Sequence, residues 1–262
     1  MLAFKYLRTN LRAAMEYRSA FIISVFGMVL NNASFILFWL LLLNRIGGQL
    51  NGYGFEEIMY LWAVVSAGYG LSVVFFGNGS RLTQLIMNGD VDVYLLQPAS
   101  LLPNILGSRM QVSGLGDLAY GIILFAFTQG GGLVQWGMYL LFIVLSMVMF
   151  TALFVLFHSL TFFLGNAEGT AHLATEAFIS FSIYPGSVFK GPARWVLHSI
   201  IPVAWAAWVP AELASGVLSG AAFWQRFFML FAVDGAFLAL AVGVFYLGLR
   251  RYESGNRIGA RM

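Results

Sequence analysis

Residues 133–165 read LVQWGMYLLFIVLSMVMFTALFVLFHSLTFFLG, a run without a single Asp, Glu, Lys or Arg. A helix on the surface of a soluble protein keeps a polar side, and this stretch has none. Crossing the ~30 Å hydrocarbon core of a bilayer takes about 20 apolar residues, so the run is long enough to span it. Five further segments read the same way on either side of it, at 20–43, 56–76, 101–128, 170–189 and 224–249. The chain is therefore expected to be an all-α membrane protein with six transmembrane helices, forming one transmembrane domain over residues 1–262.

Composition agrees with that reading. Hydrophobic residues make up 60% of the 262 and charged residues 10%, with mean hydropathy +0.82, whereas an ordinary soluble domain carries about a quarter charged residues. The 25 Phe, 11 Met and 29 Gly suit membrane helices, where aromatics fill space and small residues let backbones approach. The absence of cysteine excludes a disulfide framework and a thiolate metal site. The first apolar run starts at Ala20 and ends without a small-residue cleavage site, so it is expected to persist as the first span. Net charge +3 and pI 9.3 come with no basic stripe interleaved with aromatics, and no nucleic-acid partner is expected.

Membrane orientation accounts for the basic residues better. With a cytoplasmic N-terminus, Lys5, Arg8, Arg12, Arg18, Arg81, Arg109, Arg250, Arg251, Arg257 and Arg261 fall inside, against Arg45, Lys190, Arg194 and Arg226 outside. Positive charge collects on the cytoplasmic side of membrane proteins, so both termini are expected there, with 250–262 as a basic tail. Trp39, Trp62, Trp136, Trp195, Trp205, Trp208 and Trp224 all fall near the outer surface in this scheme, which predicts an outer aromatic belt. Residues 190–223 are apolar too, but Pro192, Pro202 and Pro210 cut them into pieces of roughly 10 to 14 residues, too short to cross. An outer re-entrant helical hairpin between spans five and six is expected, broken near Pro202 to Pro210.

Two segments outside the spans carry pattern. In residues 1–19, Phe4, Leu7, Leu11, Ala14 and Met15 recur at helical spacing beside Lys5, Arg8, Arg12 and Glu16, which reads as an amphipathic interfacial helix against membrane lipid. In the connection 78–107, Leu82, Leu85 and Ile86 mark one face of a short helix that Gly89 can end. Asp90 can cap a second helix and Pro98 can stop it. The turn reads either as a well-capped loop or as a rigid lever for a cytoplasmic machine.

The run Met87-Asn88-Gly89-Asp90-Val91-Asp92-Val93-Tyr94-Leu95-Leu96-Gln97-Pro98 resembles the G-x-x-D-x-x-L-L-x-P signature between the second and third spans of ABC-2 type (type V) ABC exporter permeases. Tyr184-Pro185, Ile201-Pro202-Val203-Ala204 and Val209-Pro210-Ala211 match in order, as does the succession of elements along the whole chain. The resemblance is to a branch of uncharacterised ABC transport permeases of similar size. It implies the transmembrane permease subunit of an ATP-binding-cassette exporter in the plasma (inner) membrane. Such a subunit works with two copies of an ATPase and with a second permease, the same or a related chain. It further implies coupling to the ATPase through the 78–107 connection, where Arg81, Gln84, Asp90, Asp92, Tyr94, Gln97 and Pro98 are the candidate residues. ATP and Mg would be bound by that partner. The chain itself supports this division, because it has no G-x-x-x-x-G-K-[ST] loop and its only lysines are Lys5 and Lys190.

Charged and polar residues within the spans are few and informative. Glu168, His172 and Glu176 recur every four residues, and Ser180 and Tyr184 continue the step. Lipid should not see that stripe, so His172, Glu176, Ser180 and Tyr184 are candidates for a pathway or a subunit interface. Glu168 and His172 read equally as headgroup-level residues with Asn166 as a cap. Pro185, Lys190, Pro202 and Pro210 are candidates for an outer gate. Asp117 and Asp234 are isolated acids, and Gly235, Ala239 and Gly243 form a small face expected to pack closely and turn Asp234 inward. His158 reads as a satisfied structural residue. No H-E-x-x-H pair or G-x-S-x-G elbow occurs, so no catalytic or metal site is expected. An ion-coupled secondary transporter acting without an ATPase is the alternative reading, and no internal repeat of the kind such carriers show is evident.

Overall fold

The computed structural model describes residues 2–129, 132–214 and 218–252, and its regular elements are helical throughout. In chain order they are α1 (Leu2–Glu16), α2 (Arg18–Arg45), α3 (Phe55–Phe75), α4 (Leu82–Asn88), α5 (Val91–Leu95), α6 (Leu101–Gly107), α7 (Ser113–Gln129), α8 (Leu133–Ser159), α9 (Thr161–Leu164), α10 (Glu168–Ser182), α11 (Gly191–Ser199), α12 (Val209–Ala214) and α13 (Gly220–Leu249). Four of them, α2, α3, α8 continuing into α9, and α13, are long and apolar enough to cross a bilayer. A pair bent by 75°, α11 with Ala204–Ala214, would make a fifth if counted as one span.

The remaining two expected spans differ from the sequence reading. Residues 101–128 are not one helix: α6 stops at Gly107 and α7 begins at Ser113. The break follows from the end of α3, whose last carbonyls lack helical partners. The amide of Gln111 donates to the Val73 carbonyl at 3.0 Å, and that of Gly77 donates to the Arg109 carbonyl at 3.1 Å. The 109–111 backbone thus caps α3 instead of continuing a helix. The segment 170–189 likewise ends early, at Ser182, because the residue before Pro185 is pushed out of the helical region and a tight turn follows at Gly186–Val188.

α3 is the central helix, packed on α7 and α8, with α2 and α13 at the flanks. Small residues allow the central contacts. A Cβ on Gly121 of α7 would sit 2.6 Å from the Ala63 carbonyl oxygen, and one on Gly70 of α3 would sit 2.5 Å from that of Gly114. A second apolar cluster joins Leu82, Ile86, Val91, Leu102 and Ile105 of the short helices to Val155, Phe162 and Phe245 at the ends of α8, α9 and α13. The α4–α6 connection is thereby built into the bundle and not suspended from it.

At the opposite end, Pro202 lies in the break after α11, as expected, but Pro210 does not break the chain. It sits near the start of α12, directly after a π turn at Ala204–Trp208. Proline has no N–H to give to the carbonyl four residues back, and that carbonyl, of Ala206, instead accepts a hydrogen bond from Ser146 Oγ at 2.8 Å. The outer belt is also corrected. Trp39, Trp62, Trp205 and Trp208 are buried in the bundle, while Trp195 and Trp224 are exposed. Two of the buried rings use their N–H inside the protein: Trp205 Nε1 donates to the His198 carbonyl at 2.8 Å and Trp208 Nε1 to that of Tyr184 at 2.9 Å. The small face of α13 does not pack within the chain as expected. Asp234 is buried, but Gly235, Ala239 and Gly243 point outward, with nothing among the described residues within 4 Å of the two glycines' Cβ positions. Of the 250–262 tail, residues 253–262 lie outside the described residues.

Candidate functional site

The turn between α4 and α5 forms as the sequence suggests. Gly89 takes φ +79°, a left-handed conformation that glycine adopts without steric cost. The amide of Asp90 then returns to the Leu85 carbonyl at 2.9 Å. Leu82, Ile86 and Val91 are fully buried beneath it. The capping role expected of Asp90 is not found: it occupies the N-cap of α5 in a helical backbone conformation and makes no side-chain cap bond. Asp92 instead faces Tyr252, past the end of α13. Burial, then the hydrogen bond to Asp92 and its charge, push the Tyr252 phenol up to about 12, so it stays protonated and available as a donor.

Polar side chains that the sequence reading passed over hold this assembly together. Asn104 of α6 is fully buried. Its Nδ2 donates to Gln97 Oε1 at 2.7 Å, and its Oδ1 accepts from the Tyr6 hydroxyl of α1. Asn78 Nδ2 donates to Ser108 Oγ at 2.7 Å, and that same Oγ lies 2.8 Å from the Tyr94 hydroxyl. α1 is consequently docked on α6 through Tyr6 and Asn10, with Leu7 and Leu11 half-buried, while Phe4 and Met15 of the expected apolar stripe remain exposed. The signal that could have found these links is the i, i+4 spacing of Tyr6 and Asn10 beside the apolar stripe. Pro98 is exposed at the end of the connection.

A second relay runs from α4 to α10. Arg81 Nε donates to Gln84 Oε1 at 3.2 Å, and Gln84 Nε2 donates to Glu168 Oε1 at 2.8 Å. The amide of Glu168 donates in turn to Asn166 Oδ1 at 3.3 Å. His158 is buried beside this relay, with its Nδ1 2.9 Å from Thr83 Oγ1, which is itself 2.9 Å from Thr161 Oγ1. It is a satisfied structural residue, as its sequence context suggested.

From Glu168 the stripe proceeds along α10 on its open face. His172 and Glu176 side chains are 70% and 62% exposed, with His172 Nδ1 3.8 Å from Glu176 Oε1. Ser180 and Tyr184 are exposed above them. Three cavities lie end to end along this face. The first, ≈ 350 Å³, is lined by Arg81, Gln84, His158, Glu168 and His172. It shares Tyr69, Glu176 and Ile179 with a middle cavity of ≈ 340 Å³. That one shares Phe35, Trp62 and Ile183 with a third, ≈ 290 Å³, reaching Trp39 and Tyr184. A groove between α2 and α10, floored by α3, thus runs from the α4 relay to the Tyr184-Pro185 turn.

The outer-gate candidates gather at its far end in part. Pro185 is buried and precedes the turn that lays Gly186 against the Trp208 ring, while Phe189 stacks on Trp208 with centroids 5.4 Å apart. Pro202 and Pro210 are buried in the bent pair, and Lys190 is exposed at the start of α11.

The matched family accords with this architecture. The profile of the ABC-2 family transporter proteins matches residues 28–256. The chain belongs to that family. It is a multi-pass membrane permease of the ABC transporter kind, a transport subunit and not an enzyme, from a family whose permeases generally work with an ATPase subunit. No curated protein and no solved structure matches it.

Proposed function

We propose that this ABC-2 permease is half of an ATP-driven exporter in the plasma (inner) membrane. It would cross six times with both termini cytoplasmic and pair with a second permease, identical or related. The observation that carries the reading is the groove along α10. It begins at the α4 relay, passes the ionisable side chains of His172 and Glu176 and ends at the Tyr184-Pro185 turn, on a face that the described residues leave open. A charge within the bilayer is costly unless it meets water or a partner, so the face that bears His172, Glu176 and Ser180 is completed by the second permease around a hydrated pathway. The bent pair after Lys190 closes its outer end.

Two ATPase subunits, holding ATP and Mg, dock at the other end. Val93, Leu95 and Leu96 of the α5 tip are exposed, Leu96 at 88%, and offer an apolar knob for a groove on the ATPase. Movement of that knob reaches α10 through Arg81, Gln84 and Glu168, and reaches α8 and α13 through the shared apolar cluster. Membership of a family whose permeases generally work with an ATPase supports this reading over the ion-coupled carrier alternative. The test is co-purification of the chain with its co-expressed ATPase. Val93→Asp with Leu96→Asp should abolish co-purification and ATP-dependent transport while the permease still inserts, and unchanged co-purification would remove the α5 tip as the seat.

A further inference from the structure

We propose that the middle cavity of the groove is a binding subsite for a lipophilic cation, an organic ammonium or phosphonium group with an apolar body, and that Asp117 is its counter-ion. The proposal rests on the reading of the groove as a transport pathway and names the class of substrate it would pass.

The cavity, ≈ 340 Å³, falls in the range of about 300–1,000 Å³ usual for small-molecule sites. Its walls are aromatic. Phe35 stacks on Trp62 with centroids 5.1 Å apart, and Tyr69 meets Phe150 edge-on at 5.6 Å. Among the described residues the ionisable lining consists of Asp117, Glu176 and the Tyr69 phenol, with no Lys, Arg or His. Asp117 is 5% exposed. Its Oδ1 accepts a hydrogen bond from Asn32 Nδ2 at 2.6 Å, while Oδ2 is buried with no hydrogen-bond partner among the described residues. Tyr69 lies within electrostatic reach of both Asp117 and Glu176.

An orphaned carboxylate oxygen inside a membrane bundle is expensive, and one amide donor answers only half of the group. An anionic ligand would add like-charge repulsion, and a neutral apolar ligand would leave the oxygen unpaired. A diffuse organic cation meets both features, because its charge pairs with the carboxylate while aromatic faces attract the same charge. Glu176, exposed on the opposite wall and shared with the neighbouring cavity, is placed to meet the cation first, and Asp117 holds it deeper. His172, 3.8 Å from Glu176, lines that neighbouring cavity, leaving the middle one acidic.

The test is equilibrium binding to the permease in lipid nanodiscs without nucleotide, with tetraphenylphosphonium as probe and tetraphenylborate as its anion of the same shape. The parent should bind the phosphonium saturably and the borate far more weakly. Asp117→Asn, which keeps the shape and removes the charge, should weaken phosphonium binding by about tenfold or more, and Asp117→Glu should restore most of it. Glu176→Gln should weaken it less. Absence of saturable phosphonium binding to the parent, borate binding of equal strength, or unchanged affinity in Asp117→Asn each overturns the proposal. The parent's preference between the two probes decides the matter even where Asp117→Asn does not fold. None of these measurements involves the ATPase, so failure here leaves the permease reading standing, and loss of co-purification with the ATPase tests that reading separately.

Discussion

α2 and α3 are almost equally apolar, with peak hydropathies of 2.0 and 1.7, yet 6% of that stretch of α2 is buried inside the chain against 78% of α3. Lipid solvates a leucine as well as a protein interior does, so apolarity places a helix in the membrane without saying what it touches there. Side-chain size separates the two. α3 turns Ala63, Ser66, Ala67, Gly68 and Gly70 to its neighbours, while α2 presents Ile22, Ile23, Phe26, Leu30 and Leu41 outward. The polar groups divide along the same line: His158 is enclosed and bonded on the packed side, whereas His172 and Glu176 stand on the open one. One side of the bundle is complete within the chain, and the α2–α10 side is not.

The contrast breaks most visibly through volume. Gly121→Val puts a branched side chain where a Cβ already falls 2.6 Å from a backbone oxygen, and overpacking of this kind costs about 3 kcal/mol or more when backbone must move. Ile23→Ala on α2 should stay within about 0.5 kcal/mol. Thermal unfolding of the purified chain measures both, and equal shifts would dissolve the distinction between the packed and open sides.

A smaller effect sharpens it at the α4 end. Gln84→Ala removes the link to Glu168, worth about 1–3 kcal/mol to that contact, and should lower ATP-dependent transport while leaving membrane insertion intact. Asp90→Ala, at an N-cap with no side-chain cap bond, should change stability by no more than about 0.5 kcal/mol. The reverse ranking would mean that the turn, and not the relay to α10, carries the coupling.

Much of this was legible in residues. The uncharged run at 133–165, the Gly89 turn and the break at Pro202 follow from local rules of length and φ preference, whereas Asp234 is buried without the small face that suggested it. What stayed hidden is rotation about helix axes and the partners of polar atoms. Gly235, Ala239 and Gly243 satisfy a packing pattern yet face outward, because on an apolar helix either face is at home in lipid. Whether a tryptophan ring is enclosed or exposed depends on tertiary contacts such as Trp208 Nε1 to the Tyr184 carbonyl. Pro210 suggested a break, and a π turn with Ser146 absorbed it. Asn32, interrupting the first apolar run, was the visible clue to Asp117, and Asn104 likewise interrupts an apolar stretch.

The central claim is that the α10 stripe faces water or a partner and not lipid. The chain has no cysteine, so a spin label at Ser180→Cys reports without background in the assembled, lipid-embedded complex, with Leu240→Cys on exposed α13 as the lipid-facing control. Power saturation against oxygen, which concentrates in lipid, and against a water-soluble nickel chelate ranks the two sites. The account predicts low oxygen accessibility at position 180 relative to 240, with chelate access or burial in its place. Oxygen accessibility at 180 equal to that at 240 would contradict it.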